Sequence, residues 1–590
     1  MTAAARTMTV GPSRTLAVLT YLKENWVVLL PLALIAYLVI VPLALLVMMS
    51  FREGTLVRPG GWTLQNYVYA VQLNLFWEAL RNTVLLATIG AFGTVAIALF
   101  FAWLIERSDL PGRNLVWAAI LLPVAIPGIF ATLGLVLAFS PRTGWINVPL
   151  RDFLSAVGIS LETGPFDIYS MGGLIFLDVF SGITTVFFML IGPMRMLDPA
   201  LEDAATVSGT NYRTTLFRVT LPMLTPALLA AYIYSFISSL DNFEVALVAG
   251  LPGGIFLLTT LIYFTVQLQS PVDYPLAAAF SVFFMLIMLL FVFYYQRVVR
   301  VSVRYATITG KGYRPKRVSL GWWKWPALAL TILYLMLQVF LPLGVMLYTS
   351  LLPRLMPPSL EAFSQMSLDT YRRVFEVPGL MRAVINTGLL VIIAPTIAMV
   401  LALIASWFIV RRRRLIERTV LDGLVFFPHA IPGVIVAIAL IMVYLTPPFR
   451  FLPIYGTIFI IAMALVIGFL PFTTRIMNGA VIQIHKELEE ASYVSGVARL
   501  RTLMLIILPL LMPAFLAGWI LASARAMRAF SAPLLLGGRG NEVLVIRMYS
   551  YWDNALFPEA AAIGMLFVAI AAPLALLARR VIVQVGRLQE

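Results

Sequence analysis

The sequence contains no cysteine, and just two histidines, His429 and His485, in 590 residues. The first absence excludes disulfides, thiolate metal sites and iron–sulfur ligation together. The second leaves too few imidazoles for a histidine metal centre, so no metal site is expected in this chain. Charge is scarce too, at 12% of residues against 61% hydrophobic, and the mean hydropathy of +0.94 lies far from that of a soluble domain. No nucleophile–base pair or metal triad is visible, which argues against an enzyme. Gly310-Lys311-Gly312 fails as a phosphate loop, because Tyr305 stands five before Gly310 and Gly312 stands where Ser or Thr should hold Mg²⁺.

What is abundant is long apolar sequence. Runs of about 20 residues, enough to cross a bilayer, begin near residues 28, 82, 115, 172, 221 and 276, then near 326, 385, 420, 456, 508 and 558. These predict an all-α polytopic membrane protein of about twelve transmembrane helices in two sets of six. The first run is too long for a signal peptide and is read as a retained helix. With the N-terminus inside, the inside segments hold 28 Lys and Arg and the outside segments 14, and all five lysines fall inside, so both termini are expected in the cytoplasm. The net charge of +15 sits in clusters such as Arg411 to Arg414 that abut spans. It is read as topology and contact with the lipid bilayer, with no nucleic-acid partner.

The halves repeat. Leu201-Glu202-Asp203-Ala204-Ala205-Thr206-Val207-Ser208-Gly209 leads on to Leu221-Pro222, and Leu488-Glu489-Glu490-Ala491-Ser492-Tyr493-Val494-Ser495-Gly496 to Leu508-Pro509, every position shifted by 287. Each copy predicts a short helix, a glycine stop and a second helix entering a span. Asp198 and Pro199 suit the start of the first helix, whereas His485 and Lys486 start the second less favourably. Leu201, Ala204, Ala205 and Ser208 would share one small-residue face, repeated by Leu488, Ala491, Ser492 and Ser495. Asn82-Thr83 matches Asn386-Thr387 and Trp103 matches Trp407 at an offset of 304, and Pro123, Pro127 and Gly128 match Pro428, Pro432 and Gly433 at 305. An even number of spans per half makes the repeats parallel. The expected organisation is an N-terminal tail over 1–27, a first half over 28–300 with a shared core of about 78–297, a basic linker over 301–325, and a second half over 326–590 with a shared core of about 382–580.

The doubled stretch resembles the EAA loop of ABC importer permeases of type I: an acid, two small residues, three of any kind, a glycine, then an aliphatic residue and Leu-Pro. Asp203 stands for the usual Glu in the first copy and Ser492 for the second alanine in the other. The resemblance covers most of the chain, in a form with both permease halves fused, and is nearest to ferric-iron permeases, with thiamine and 2-aminoethylphosphonate permeases as alternatives. It implies two cytoplasmic ABC ATPase subunits, carrying ATP and Mg, docked at Glu202, Asp203, Ala204, Ala205, Gly209, Leu221 and Pro222 and at Glu489, Glu490, Ala491, Ser492, Gly496, Leu508 and Pro509. It also implies an extracytoplasmic solute-binding protein as partner, location in a bacterial inner membrane, and no cofactor on this chain.

Four polar residues are pathway candidates. Asp178 lies within the fourth span, where a carboxylate is costly unless it faces water or a partner; it either lines the path or is a hydrogen-bonded packing residue. Asp241 and Glu244 follow the fifth span and either face an outer vestibule or sit in a solvated loop. Their counterparts at 287 are Arg528 and Ser531, so the halves offer no symmetric anionic site. His429, between Pro428 and Pro432, either satisfies a carbonyl freed by the prolines or touches cargo. Such sparse intramembrane charge also makes an ion-driven secondary transporter the weaker alternative.

Overall fold

The computed structural model describes residues 14–197, 199–302, 318–411 and 415–587. Asp198, Gly310 to Gly312 and Arg412 to Arg414, together with the first thirteen residues of the tail, lie outside the described residues. Most of the described residues are helical, with one two-stranded hairpin pairing Arg52–Gly54 with Pro59–Trp62.

Among the described residues nine helices are long and apolar enough to cross a membrane. A tenth is added if the pair Arg418–Ala430 and Gly433–Leu445, bent by 106°, is one span. The shortfall from twelve has a physical cause in the third span of each half. In the first, Arg113–Leu121 and a tight turn at Leu122–Ala125 precede Gly128–Ala138; in the second, Leu415–Phe426 and Phe427–Ala430 precede Gly433–Leu445. The prolines seen in sequence make these breaks. Pro127 and Pro432 adopt ψ of 137° and 143°, out of the helical range, and a proline ring disfavours helix in the residue before it and supplies no N–H. The last helix, Phe557–Arg587, passes as a shorter apolar helix to Pro573.

The halves interlock. The first helix, Arg14–Ser50, packs on Gly433–Leu445 of the second half, and Leu341–Ser350 packs on Gly128–Ala138 of the first. Tyr37 and Tyr444 hydroxyls lie 3.0 Å apart in one crossing. In the other the backbone comes so close that a Cβ on Gly134 would meet Pro342 Cβ at 2.6 Å. The matched Asn-Thr pairs also find their purpose here. Thr83 Oγ1 accepts the Leu258 N–H at 2.9 Å and Thr387 Oγ1 the Leu544 N–H at 2.8 Å. Asn82 donates to the Phe256 carbonyl, and Asn386 to those of Gly540 and Glu542. Each pair therefore caps the short helix between the fifth and sixth spans of its own half, where backbone groups would otherwise go unpaired. The polar stretch 140–170 is tied down by buried Asn147, whose amide donates to the carbonyls of Phe139, Ser140 and Phe166.

Asp178 belongs to a unit of this kind. Its Oδ2 accepts from Ser239 Oγ at 2.6 Å and its Oδ1 from Asn242 Nδ2 at 2.7 Å, and it is buried at 3% exposure. Gly90 on the second span leaves it room, since a Cβ there would lie 2.1 Å from Oδ2. The equivalent second-half positions are Leu465, Ala526, Ala529 and Ala394, so all four residues change together from polar and tight to apolar. Pinned by two hydrogen bonds, the carboxylate cannot swing aside. Gly90→Ala is therefore expected to destabilise the protein by about 1–3 kcal/mol, an overpacking cost. Gly192→Ala, where nothing lies within 4 Å of the added carbon, should not. Thermal unfolding of the purified protein in detergent checks this: equal melting of Gly90→Ala and the parent would refute the unit. Gly90→Ala, Asp178→Leu, Ser239→Ala and Asn242→Ala together, copying the second half, should recover most of the loss.

Candidate functional site

Each copy of the doubled stretch forms a short helix, Pro199–Val207 and Lys486–Val494. Both end at a glycine with positive φ, Gly209 at +84° and Gly496 at +78°. The chain reverses there because Thr210 N–H reaches back to the Ala205 carbonyl and Val497 N–H to that of Ser492, both at 3.1 Å, the six-to-one closure that a left-handed residue permits. Leu221-Pro222 and Leu508-Pro509 then open the fifth spans, each just after a π-turn, Leu216–Thr220 and Leu503–Ile507. A proline near a helix start, lacking its N–H, is compatible with that local widening of the hydrogen-bond register.

What fixes these helices is a buried ion pair in each half. Glu202 Oε2 lies 3.1 Å from Nη1 of Arg107, the last residue of the second span, whose side chain is 1% exposed. Glu489 Oε1 lies 2.6 Å from Nε of Arg411, at the same place in the other half. The guanidinium of Arg107 also donates to the Met194 and Leu197 carbonyls, and that of Arg411 to Ile484, the counterpart of Leu197. Trp407, singled out by its repeat, donates its indole N–H to Glu489 Oε2 at 3.3 Å. The first half is braced further, by Thr220 Oγ1 donating to Glu202 and by Arg195 on Glu106 at 2.6 Å. The linker's far end joins the same corner, where Val318 pairs with the backbone around Ser108 and the Leu320 N–H donates to Asp109, holding that carboxyl below its usual range.

The face each helix shows to solvent differs from the one expected. Leu201, Ala204 and Ser208 are exposed, as are Leu488, Ala491 and Ser495. Ala205, however, is half-buried, and Ser492 is buried with its hydroxyl 2.8 Å from that of Thr502. These two face inward because a nine-residue helix turns 100° per residue, which places 202 and 205, or 489 and 492, on the side that meets the arginine. The outward row continues instead through Val207 and Val494, 88% and 90% exposed. Spacing of i, i+3 and i+6 from Leu201 would have found them. Of the acids at the motif position, Glu490 is exposed and Asp203 half-buried. His485 and Glu487 form a loose exposed pair at 3.7 Å.

The other predicted residues converge where the halves meet. Asp241 lies exposed in the turn after the fifth span, and its carboxylate accepts the backbone N–H of Gly433, at the restart of the other half's broken third span. Glu244 sits against the matching restart in its own half, where a Cβ on Gly128 would lie 2.7 Å from Oε2 and 3.9 Å from Arg528 Nη2. Glu244 and Arg528 attract one another there. The arrangement keeps the repeat's symmetry in position but not in charge. Asp241 and Arg528 are equivalents, each reaching into the other half. Ser531, the equivalent of Glu244, lies against Gly433, its Oγ 2.5 Å from where a Cβ would be. Between them Phe243 and Phe530, also equivalents, approach ring to ring at 6.2 Å, backed by Tyr263 and Tyr549 at 5.4 and 5.3 Å. His429 lies at the second half's break with its ring 5.3 Å from Phe426. Asp178 stays within the first half. No group of three or more metal-ligating side chains occurs among the described residues.

Comparison with known proteins bears on the whole arrangement. Residues 396–586 match the family described as the binding-protein-dependent transport system inner membrane component. The ferric transport system permease protein FbpB of Actinobacillus pleuropneumoniae is 24% identical over 545 residues, covering 91% of this chain and 75% of that one. A putative ferric transport system permease protein, FbpB 1 of Haemophilus influenzae, is 26% identical over 511 residues, covering 85% and 76%. The sulfate transport system permease protein CysT of Escherichia coli is 30% identical over 216 residues, covering 35% of this chain and 73% of that one. With paired loops of one design, broken third spans and this similarity, the chain belongs to the family of binding-protein-dependent transport system inner membrane components, the permeases of ABC importers.

Proposed function

We propose that this permease imports ferric iron across a bacterial inner membrane, with both termini and the two short loop helices on the cytoplasmic side. The observation that carries the cargo is the similarity to two ferric permeases over most of the chain. In this reading an extracytoplasmic binding protein delivers iron to the outer face, and two ATPase subunits, holding ATP and Mg, dock below on the rows Leu201, Ala204, Val207 and Leu488, Ala491, Val494. The chain makes and breaks no covalent bond. It alternates between two conformations that ATP binding and cargo delivery bias differently. The ion pairs on Glu202 and Glu489 connect each docking helix to a second span, so displacement of the helix becomes displacement of the span.

The test is uptake of ⁵⁵Fe³⁺ by proteoliposomes holding the permease, its ATPase and its binding protein. Uptake that needs all three and ATP is expected. Uptake that persists without the ATPase would favour an ion-driven carrier, and uptake of thiamine or 2-aminoethylphosphonate in place of iron would move the cargo to those alternatives.

The helix ends give a second prediction. A side chain in the left-handed region costs roughly 1–2 kcal/mol, and more for a β-branched one, while asparagine tolerates it. Gly209→Val with Gly496→Val should lower ATP-driven uptake at least about tenfold, whereas the paired Asn variants should keep most of it. Wild-type uptake in the Val pair would break the link between these loops and coupling.

A further inference from the structure

The second half lines its side of the centre with cations that the first half lacks. Arg525 and Arg528 are three apart on Leu508–Arg528 and so share a face. Arg528 meets Glu244 and Gly128 of the first half, so that face looks across the junction between halves. Arg525 lies one turn nearer the loop helices. It is exposed, its guanidinium carbon stands 4.1 Å over the Phe472 ring, and no carboxylate pairs with it among the described residues. Arg475 joins it from Ile458–Gln483, half exposed, 3.4 Å from Asp422 and 4.9 Å over the Phe426 ring. His429 lies within electrostatic reach of both arginines.

The equivalent first-half positions are Ser238 for Arg525, Asp241 for Arg528, Phe188 for Arg475 and Val124 for His429. The first half's carboxylates keep their charge, but each is directed at a partner of its own rather than at Arg525. Asp178 is bonded by Ser239 and Asn242, Asp241 by the Gly433 N–H, and Glu244 by Arg528. Asp422 answers Arg475, which leaves Arg525 as the guanidinium of this group that no carboxylate pairs with among the described residues, within the span Met504–Arg528. A charged side chain inside a span is costly unless it faces water or cargo, and aromatic rings beneath two guanidiniums hold them in place without neutralising them.

We propose that Arg525, with Arg475 and His429, forms an anion-selecting station on the translocation path. Cargo then passes as an anion, or as a metal inside an anionic complex, and a bare cation is repelled. The inference rests on the importer reading and sharpens its cargo: iron would cross complexed, and thiamine, a cation, would be excluded.

The absence of native cysteine allows a test that needs no cargo. Ser238→Cys puts one thiol on an exposed position, the first-half equivalent of Arg525. In the purified full chain, its reaction rates with an anionic ethylsulfonate thiosulfonate and with a cationic trimethylammonium thiosulfonate are compared, each divided by the rate with a free thiol. A ratio favouring the anion by at least about tenfold is expected. It should fall toward unity in Arg525→Gln and survive in Arg525→Lys, which keeps the charge and controls for folding. Preference for the cation, a ratio that Arg525→Gln leaves unchanged, or no reaction with either reagent would each overturn the proposal, as would ATP-driven uptake of thiamine. If ⁵⁵Fe uptake fails while the ratio holds, the iron reading falls and the station stands.

Discussion

Two guanidinium–carboxylate pairs, Arg107 with Glu202 and Arg411 with Glu489, join the exposed loop helices to the rest of the molecule. Removing one partner of such a pair leaves a buried charge uncompensated, at a cost of about 3–5 kcal/mol, so each is far more consequential to break than a surface ion pair worth roughly 0–1 kcal/mol. The guanidinium forks also take up carbonyls at the end of the fourth span, so one side chain gathers the second span, the fourth span and the loop helix at a single corner. A nine-residue helix is too short to be stable by itself. Held at this corner, it presents a defined apolar row ending in a nearly bare valine.

Around that shared device the halves have diverged in concert. Where the first half stacks Gly90, Asp178, Ser239 and Asn242, the second has Ala394, Leu465, Ala526 and Ala529. Where the first places Asp241 and Glu244 at the junction, the second places Arg528 and Ser531. A repeated sequence thus surrounds a junction that is unlike in charge, with carboxylates reaching the broken helices from one side and guanidiniums lining the other. Two separate identical chains could not build this, since symmetry would set like charge against like. Fusion in one polypeptide allows each half to take its own sign.

Much of this was legible in the sequence, for reasons that are local. Apolar runs of about twenty residues mark spans, a Pro-x-x-x-Pro-Gly pattern marks a break, and a glycine after a small-faced helix marks a left-handed stop; the φ of Gly209 and Gly496 is what that position required. What was illegible depends on distant partners. The motif draws attention to Asp203 and Glu490, yet the acids that meet the arginines are their neighbours Glu202 and Glu489, and Arg107 is 95 residues from Glu202. The repeat did carry a hint, because Arg107 and Arg411 share the 304 offset of Trp103 and Trp407. Asn82-Thr83 was visible as a repeat, but the carbonyl that Asn82 serves lies 174 positions away. Asp241 and Glu244 could be read as vestibule or loop residues, because nothing local reveals that the chain after the fifth span folds back to the junction.

The ion pairs connect each loop helix to a span, and a double-mutant cycle on ATP-driven uptake measures that connection. Arg411→Gln and Glu489→Gln should each lower uptake at least about tenfold, and the double variant should be no worse than the poorer single one, because groups in direct contact are strongly non-additive. Losses that multiply in the double variant, or singles that transport at the parent's rate, would contradict it.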